Sequence, residues 1–591
     1  MRRTAIYLFH DPRGIVEDYV PLALRSLRPF ASHLLVVVNG ALTAAGRQSL
    51  EAVADEILVR ENEGMDIGGY QAGLSQLGWE QIGSLDELVL VNNTFFAPVR
   101  PWEPVFEAAA VRPEASFWGL TEHDEIRPHP FLARRSMPRH LQSHFLAVRR
   151  PLLSSPDFRS YWQTMPPIHS YNDSVAWHES RFTPHFNSLG YESFAVFPLE
   201  AFSTPNPVMD EPEALLDAGC PALKRRVFFH DPAHLDARGV CGARLLRSAA
   251  QGGVEEDLLL AGLVRTTAPR TLLANAGLTE VLEPSPRVEA LPACPRPVSV
   301  HAFLPSGGDP HALTSRLRDL RAGGSVVVCC ADGEACHAME TSLRCNGVEQ
   351  AEVRAARYPE GGSLLSLLRD APEMTQEPVL LRLAEAGEDD PVGDPRLLDA
   401  ALRLFEAHPG LGVLVRSAPV LGSRVLGHGW GEDRDEVATL ARRAGIAVPL
   451  DDSTPVWSYG GSVLLRARGL SPLLGLDLTR LVREHGAGGA GALLALAEVS
   501  AVLETGLHHR QVVTAGTIAV DHALLEHRYQ ALAAVLPGDV EEQQRYLVAR
   551  CGPQAGIGTM LRRQMEMAAP DLADRLKPAY RRLTGWLPGR G

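Results

Sequence analysis

Apolar positions near the start of the chain come in short unbroken runs, at Ile6–Phe9, His33–Val38, Ile57–Val59 and Leu88–Val91. Runs of this length read as strands buried on both faces. Between them, Tyr19–Leu27, Gln48–Val53 and Tyr70–Leu77 carry apolar residues at helical spacing. Strand and helix in alternation predict a mostly parallel sheet with helices on both faces. Further strands are expected at Phe117–Leu120 and His144–Val148, with a Pro- and Arg-rich insert from Pro98 to Pro138. Such an insert frames one side of a cleft. Ser174–Arg181 reads as a short helix stopped before Pro184-His185. Ala214–Leu263 is helical by pattern.

Prolines at 284, 286, 292, 295 and 297 mark a linker. A second α/β pattern follows, with strands at Val298–Phe303, Ser325–Cys329 and Val379–Leu383 and a helix over Pro310–Leu320. From Ile518 to about Tyr580 the pattern is helical again. The expected organisation is an α/β domain over 1–210, its helical extension over 211–283, a linker over 284–297, a second α/β domain over 298–517 and a helical C-terminal region over 518–591.

Polar residues gather where the predicted strands end. One strand ends in Arg60-Glu61-Asn62-Glu63-Gly64-Met65-Asp66-Ile67-Gly68-Gly69-Tyr70, and another in Asn92-Asn93-Thr94. Ligands of open α/β sheets lie beyond the carboxyl ends of strands, so these two turns define one cleft. The arrangement suits a nucleotide-sugar donor, with Asp66 near the base or ribose and Asn92–Thr94 near the diphosphate. Gly64, Gly68 and Gly69 would allow the backbone to approach a ligand closely. A helix-capping Asp66 and a plain turn at Asn92–Thr94 are the structural alternatives.

The first 270 or so residues resemble the rhamnan synthesis protein F family, glycosyltransferases of bacterial surface-polysaccharide assembly. The resemblance runs in order through Ile6-Tyr7-Leu8-Phe9-His10-Asp11, the Asn62–Gly69 turn, Leu90–Thr94, Phe117-Trp118-Gly119-Leu120-Thr121, His140-Leu141-Gln142-Ser143-His144-Phe145, Phe158…Trp162, Glu179 and Pro221–Arg226. It implies a GT-A-like, Rossmann-related fold. It also implies a donor site built from Asp11, Asn39, Glu63, Gly64, Asp66, Gly68, Gly69, Asn92, Asn93, Thr94, Lys224 and Arg226. Glu179 is the expected general base, ahead of Glu122 and Asp124, because an inverting transfer needs a carboxylate to take the acceptor's proton. A solvent-facing helix glutamate is its structural alternative. Trp118, Thr121, His140, Gln142 and His144 are expected around the sugar or acceptor, the last three on one side of an extended segment; structural histidines are the alternative there. The leaving diphosphate needs positive charge. Either Mg²⁺ or Mn²⁺ held near Asn93, where the family pattern has an aspartate, or Lys224, Arg225 and Arg226 would supply it.

The second half resembles the family too, through Phe405…Gly412, Trp430…Gly445, Tyr459–Arg466 and Leu470–Leu473. Its polar turns are eroded: Arg357-Tyr358-Pro359-Glu360-Gly361-Gly362 lacks the aspartate, Leu383–Asp390 is acidic and Gly486–Ala492 is bare. A degenerate, non-catalytic second transferase unit is expected.

Composition narrows the rest. A net charge of −14 argues against nucleic acid as partner and against strong attraction to anionic lipid. No stretch approaches an uninterrupted membrane-spanning run of about 18–20 apolar residues, and Met1–Ile6 reads as strand rather than signal peptide. A cytoplasmic protein is expected, its eight cysteines free thiols without zinc spacing. Arg562, Arg563, Arg575, Lys577, Arg581, Arg582 and Trp586 make the tail locally basic, fit for a peripheral inner-membrane contact near a lipid-linked glycan acceptor or simply a solvated face. The expected activity is transfer of L-rhamnose from dTDP-rhamnose to that glycan. The alternative is a catalytically weak scaffold of a polysaccharide-assembly complex.

Overall fold

The computed structural model describes residues 1–539 except 128, 130–135, 284–297, 321–322, 349, 373–378, 385–389, 419–426, 460 and 535–537, and also Gln543. The Pro-rich linker, the acidic residues 385–389 and the basic tail residues therefore lie outside the described residues. The chain divides into two units, with the change at Leu259/Leu260.

In the first unit the strands are β1 (Arg3–Phe9), β2 (His33–Asn39), β3 (Glu56–Arg60), β4 (Glu87–Asn92), β5 (Phe95–Phe96), β6 (Phe117–His123), β7 (His140–Leu141), β8 (Phe145–Arg149), β9 (Ser193–Phe197) and β10 (Leu223–Lys224). The main sheet runs β3-β2-β1-β4-β8-β6-β7, with β9 added on β6. All pairings from β3 to β4 are parallel, β8 runs antiparallel to both neighbours, and β9 is parallel to β6. Ile6 stands level with Leu35 and Leu90. These side chains are fully buried under Leu74, Ile82 and Phe158, because helices cover the central strands. Helices α1 (Tyr19–Leu27), α2 (Ala44–Glu51) and α3 (Met65–Leu77) connect the first strands.

Three elements differ from those expected. Helix α3 begins five residues early, at Met65 rather than Tyr70, which puts Asp66 in its first turn. The helix around Glu179 is not stopped by Pro184. A widened π turn, Val175–Glu179, leads into a helix that carries Pro184 inside it and ends at Ser188. Proline in a helix costs about 3 kcal/mol; burying Phe182 and Phe186, each worth roughly 1.5–3 kcal/mol, offsets that. Finally, Thr279–Leu282, expected in a helical extension of the first domain, is a strand of the second sheet. Its short alternation was masked by the helices before it.

The second unit has β11 (Thr279–Leu282), β12 (Ser299–Leu304), β13 (Val326–Cys330), β14 (Ala351–Ala355), β15 (Leu380–Leu383), β16 (Leu411–Arg416), β17 (Val463–Leu465) and β18 (His508–Thr514), in the order β14-β13-β12-β15-β17-β16-β18-β11. Here too one strand, β17, runs antiparallel to both neighbours, and β18 is parallel to β16. Strand for strand, β12, β13, β14, β15, β16, β17 and β18 repeat the connectivity of β1, β2, β3, β4, β6, β8 and β9. The tandem α/β reading therefore stands on topology as well as pattern.

The bare Gly486–Ala492 segment is not a turn but part of a long helix, Leu478–Glu504, kinked at Gly486. That helix is long and apolar enough to cross a membrane, unlike the sequence expectation. Its C-terminal half is instead core of the second unit, where Glu498 pairs with the buried Arg382. Helix Ala515–Ala533 follows.

Candidate active site

The parallel strands of the first unit deliver His10, Asn39, Asn92 and the end of β6 to one edge of the sheet. At that edge Asp66 Oδ2 accepts a hydrogen bond from Asn92 Nδ2 at 2.8 Å. Asn92 Oδ1 accepts from the Thr94 hydroxyl at 2.6 Å, and Lys224 Nζ donates to Thr94 Oγ1 at 2.9 Å. Lys224 arrives from 130 residues away through the small antiparallel pair β5–β10, which sets it opposite Phe95. Asp66, Asn92, Thr94 and Lys224 thus form one polar chain along this edge.

Glu179 is near enough to this chain to act electrostatically on Lys224 and Asp66. Its Oε2 accepts from the Ser143 hydroxyl and, at 3.3 Å, from the Ser143 backbone N–H. His140 Nε2 lies 3.9 Å from Glu179 Oε1, an ion-pair rather than a hydrogen-bond separation. The His140 Nδ1–H donates to the Pro138 carbonyl at 2.7 Å, so Nε2 is the nitrogen left facing the carboxylate. Burial pushes Glu179 up, but the His140 imidazole, the Ser143 hydroxyl and the Lys224 ammonium outweigh it and hold the carboxyl well below its usual range. Asp66 goes the other way: burial raises it more than Lys224 and Asn92 lower it. Burial lowers Lys224, against the pull of Glu179 and Asp66. His144 is driven down to about 3 by burial, with Lys224 pushing the same way, so its ring is neutral.

The left-handed turn before α3 is held for this purpose. Gly64 and Met65 have φ of 73° and 53°, and a methionine there is strained. Asn39 Nδ2 secures it by donating to the Met65 carbonyl at 2.9 Å, while Arg60 donates to Asn39 Oδ1 at 2.6 Å. Asn39 is therefore a positioning residue for Asp66. Gly68 and Gly69 are required by packing. A Cβ on Gly69 would come within 2.1 Å of Leu8 Cδ1, and one on Gly68 within 2.2 Å of the Glu63 carbonyl. Glu63 itself is exposed.

Several expected site residues are engaged elsewhere. Trp118 is fully buried and donates to Glu87 Oε2 at 2.9 Å, at the amino end of β4 and so at the far edge of the sheet. Glu122 is clamped by Arg139, which also holds Glu200. Asp124 is exposed and caps the Glu125 N–H at 2.8 Å. Asp11 Oδ1 accepts from the backbone of Arg13 and Ile15 at 2.9 and 3.0 Å, which shapes its own loop. Thr121 donates to Gln142 Oε1 at 2.7 Å, and Gln142 reaches Asn206, so both are buried structural partners. The even spacing of His140, Gln142 and His144 misled because β7 ends at Leu141 and the chain turns at Ser143. That turn aims Ser143 at Glu179 and sets His144 against Phe95.

Asn93 needs the plainest correction. Its Nδ2 donates to the His10 carbonyl at 3.0 Å and to Tyr19 Oη at 3.3 Å, and its Oδ1 faces the His10 N–H at 3.4 Å. The carboxamide ties the end of β1 to the end of β4, with both its nitrogen and its oxygen engaged. Arg225 reinforces it from Tyr19 Oη and the Asn93 carbonyl. Sequence reasoning missed Ser143 as the partner of Glu179, and missed Tyr171. Tyr171 is 55% exposed, with the Arg226 guanidinium 5.9 Å over its ring. The aromatic-basic pair offers a stacking face beside the carboxylates.

Residues 34–308 match the family described as rhamnan synthesis protein F. A curated relative, the uncharacterized protein y4gN of Sinorhizobium fredii, is 24% identical over 187 residues, 32% of this chain. The match spans about half of that relative, 46% of its length. Among solved structures, 4-diphosphocytidyl-2C-methyl-D-erythritol synthase of Anaerococcus prevotii is 12% identical, covering 33% of this chain and 86% of its own, with a TM-score of 0.24. Glucosyl-3-phosphoglycerate synthase of Mycobacterium tuberculosis, solved with Mn²⁺, UDP and glucosyl-3-phosphoglycerate, is 15% identical over 40% of this chain and 76% of its own, with the same TM-score of 0.24. Likeness of that degree identifies neither ligand nor activity.

Proposed function

We propose that the first unit is a glycosyltransferase of bacterial polysaccharide synthesis that takes its sugar from a nucleoside diphosphate. The observation that carries this reading is the convergence of Asp66, Asn92, Thr94, Lys224 and Glu179 at the carboxyl edge of a parallel sheet, within the segment that matches the rhamnan synthesis family. In this reading Lys224 and Arg226 face the diphosphate, Asp66 the ribose or base, and Tyr171 the sugar. Glu179, ionised and held by Ser143, takes the acceptor hydroxyl's proton as the bond to the leaving diphosphate breaks. The family match favours L-rhamnose from dTDP-rhamnose as donor and a lipid-linked glycan as acceptor, with the protein at work in the cytoplasm on the inner face of the membrane. The second unit then carries no transfer of its own. Its β15 ends in Leu383-Ala384 where β4 ends in Asn92-Asn93.

That eroded strand end also favours a second reading, a scaffold that binds no donor. Nucleotide binding separates the two. Thermal denaturation of the full chain with dTDP or UDP should show a stabilisation of roughly 2.7 kcal/mol at a hundredfold excess over Kd, and a donor screen should show turnover. No stabilisation by either nucleotide would leave the scaffold.

A further inference from the structure

Deepening the proposed donor site, and resting on it, we propose that the cleft holds the nucleoside diphosphate through the Lys224 ammonium in place of a divalent cation. The oxygens that a cation would need at this turn are committed. Both ends of the Asn93 carboxamide are bonded to the His10 backbone or Tyr19. Asn92 spends its amide on Asp66 and its oxygen on the Thr94 N–H and hydroxyl. Mg²⁺ and Mn²⁺ want several oxygen ligands, charged ones foremost, and the turn supplies none. Two carboxylates, Glu179 and Asp66, act electrostatically on Lys224.

The identity of the residue points the same way. Only two of the 57 basic residues in the whole chain are lysines, at 224 and 577. The other cations that make salt bridges and carbonyl clamps in the described structure are arginines and histidines. A lysine differs from arginine in being a compact, strongly hydrated point charge, the closest a side chain comes to a small cation. Its ammonium has three donors; the bond to Thr94 Oγ1 uses one, leaving two to meet phosphate oxygens. The neighbouring Arg225 is turned inward to Tyr19, while Arg226 is exposed beside Tyr171. The Lys224-Arg225-Arg226 run therefore splits its labour: a point charge in the cleft, a structural clamp, and a guanidinium at the rim.

The test is calorimetric titration of the full-length chain with dTDP and with UDP, in EDTA and in Mn²⁺, for the parent and Lys224→Met, with circular dichroism to confirm that the variant folds. The expected result is parent binding in EDTA within about twofold of that in Mn²⁺, and at least about a tenfold loss in Lys224→Met. Parent binding that requires Mn²⁺ would overturn the inference while leaving the donor site in place. So would a folded Lys224→Met variant that binds as well as the parent in EDTA. If the variant does not fold, the parent's response to EDTA decides alone. Failure of both nucleotides to bind the parent under either condition would overturn the donor reading, and this inference with it.

Discussion

Replacing Asn93 with aspartate separates a ligand-facing residue from a structural one. A ligand-facing aspartate would gain affinity for a divalent cation. In the observed geometry it loses two donated bonds, to the His10 carbonyl at 3.0 Å and to Tyr19 Oη at 3.3 Å. It also brings a carboxylate oxygen against the His10 carbonyl, in a place where the native side chain is 7% exposed. Two lost bonds at roughly 0.5–1.5 kcal/mol each cost about 2 kcal/mol. For a unit of this size that is a Tm lower by about 4–8 °C. The effect should depend on pH with a definite sign. Burial raises the new carboxyl's pKa in the folded state, so the folded protein binds its proton more tightly than the unfolded chain. The deficit should then be smallest below the unfolded value of about 3.9 and grow as pH rises through the folded value. Scanning calorimetry of the parent and Asn93→Asp at several pH values, with and without Mn²⁺, measures this. An unchanged Tm at neutral pH, or a variant selectively stabilised by Mn²⁺, would refute the structural assignment of Asn93.

Three further outcomes follow from the same geometry. Asp66→Ala removes a half-buried carboxylate that accepts one bond, so the fold should survive by circular dichroism while dTDP and UDP binding falls at least about tenfold; parent-like binding would remove Asp66 from the donor site. Glu179→Gln should lower turnover by about 10²–10⁴ with donor affinity nearly unchanged, and turnover close to the parent's would reassign the base. Burial lowers His144 to about 3 and His178 to about 4. The folded protein thus resists protonation that the unfolded chain accepts below about 6.5, so stability should fall with pH from there down. His178→Phe should flatten that fall in a series of melting curves, and an unaltered pH dependence would show that His178 takes up protons alike in the folded and unfolded chain.

Much of the first sheet could be read from the chain because its central strands are apolar on both faces and their polar ends mark the cleft edge. Tyr19–Leu27 and Pro310–Leu320 are helices at the bounds their spacing predicts. Direction was harder to read. Asn92 and Asn93 are adjacent, yet strand alternation sends one to Asp66 and the other to the His10 backbone. The glycines of the Asn62–Gly69 turn have the same composition whether they make room for a phosphate or for Leu8. Glu122 and Glu179 look alike in sequence, and only the fold shows Arg139 on one and Ser143 on the other. The pairing of Lys224 with Thr94 depends on a two-residue strand contact too short to leave a periodic trace.

The repeated sheet connectivity sets a problem for the chain as it is made. Each strand from β12 to β18 has a counterpart with the same neighbours and polarity, so in principle a nascent strand could pair in the wrong copy. Synthesis order favours the right outcome, since an N-terminal domain folds before its successor has emerged. Sequence divergence favours it too. At the corresponding edges the first copy presents Asn39 and Asn92, while the second presents Cys330 and Leu383, so an exchanged strand would bury amides without partners or expose apolar ends. The loss of polar turn residues from the second copy thus also acts as a barrier to interdomain misassembly, and that pressure would keep the two copies different whether or not the second retains any chemistry.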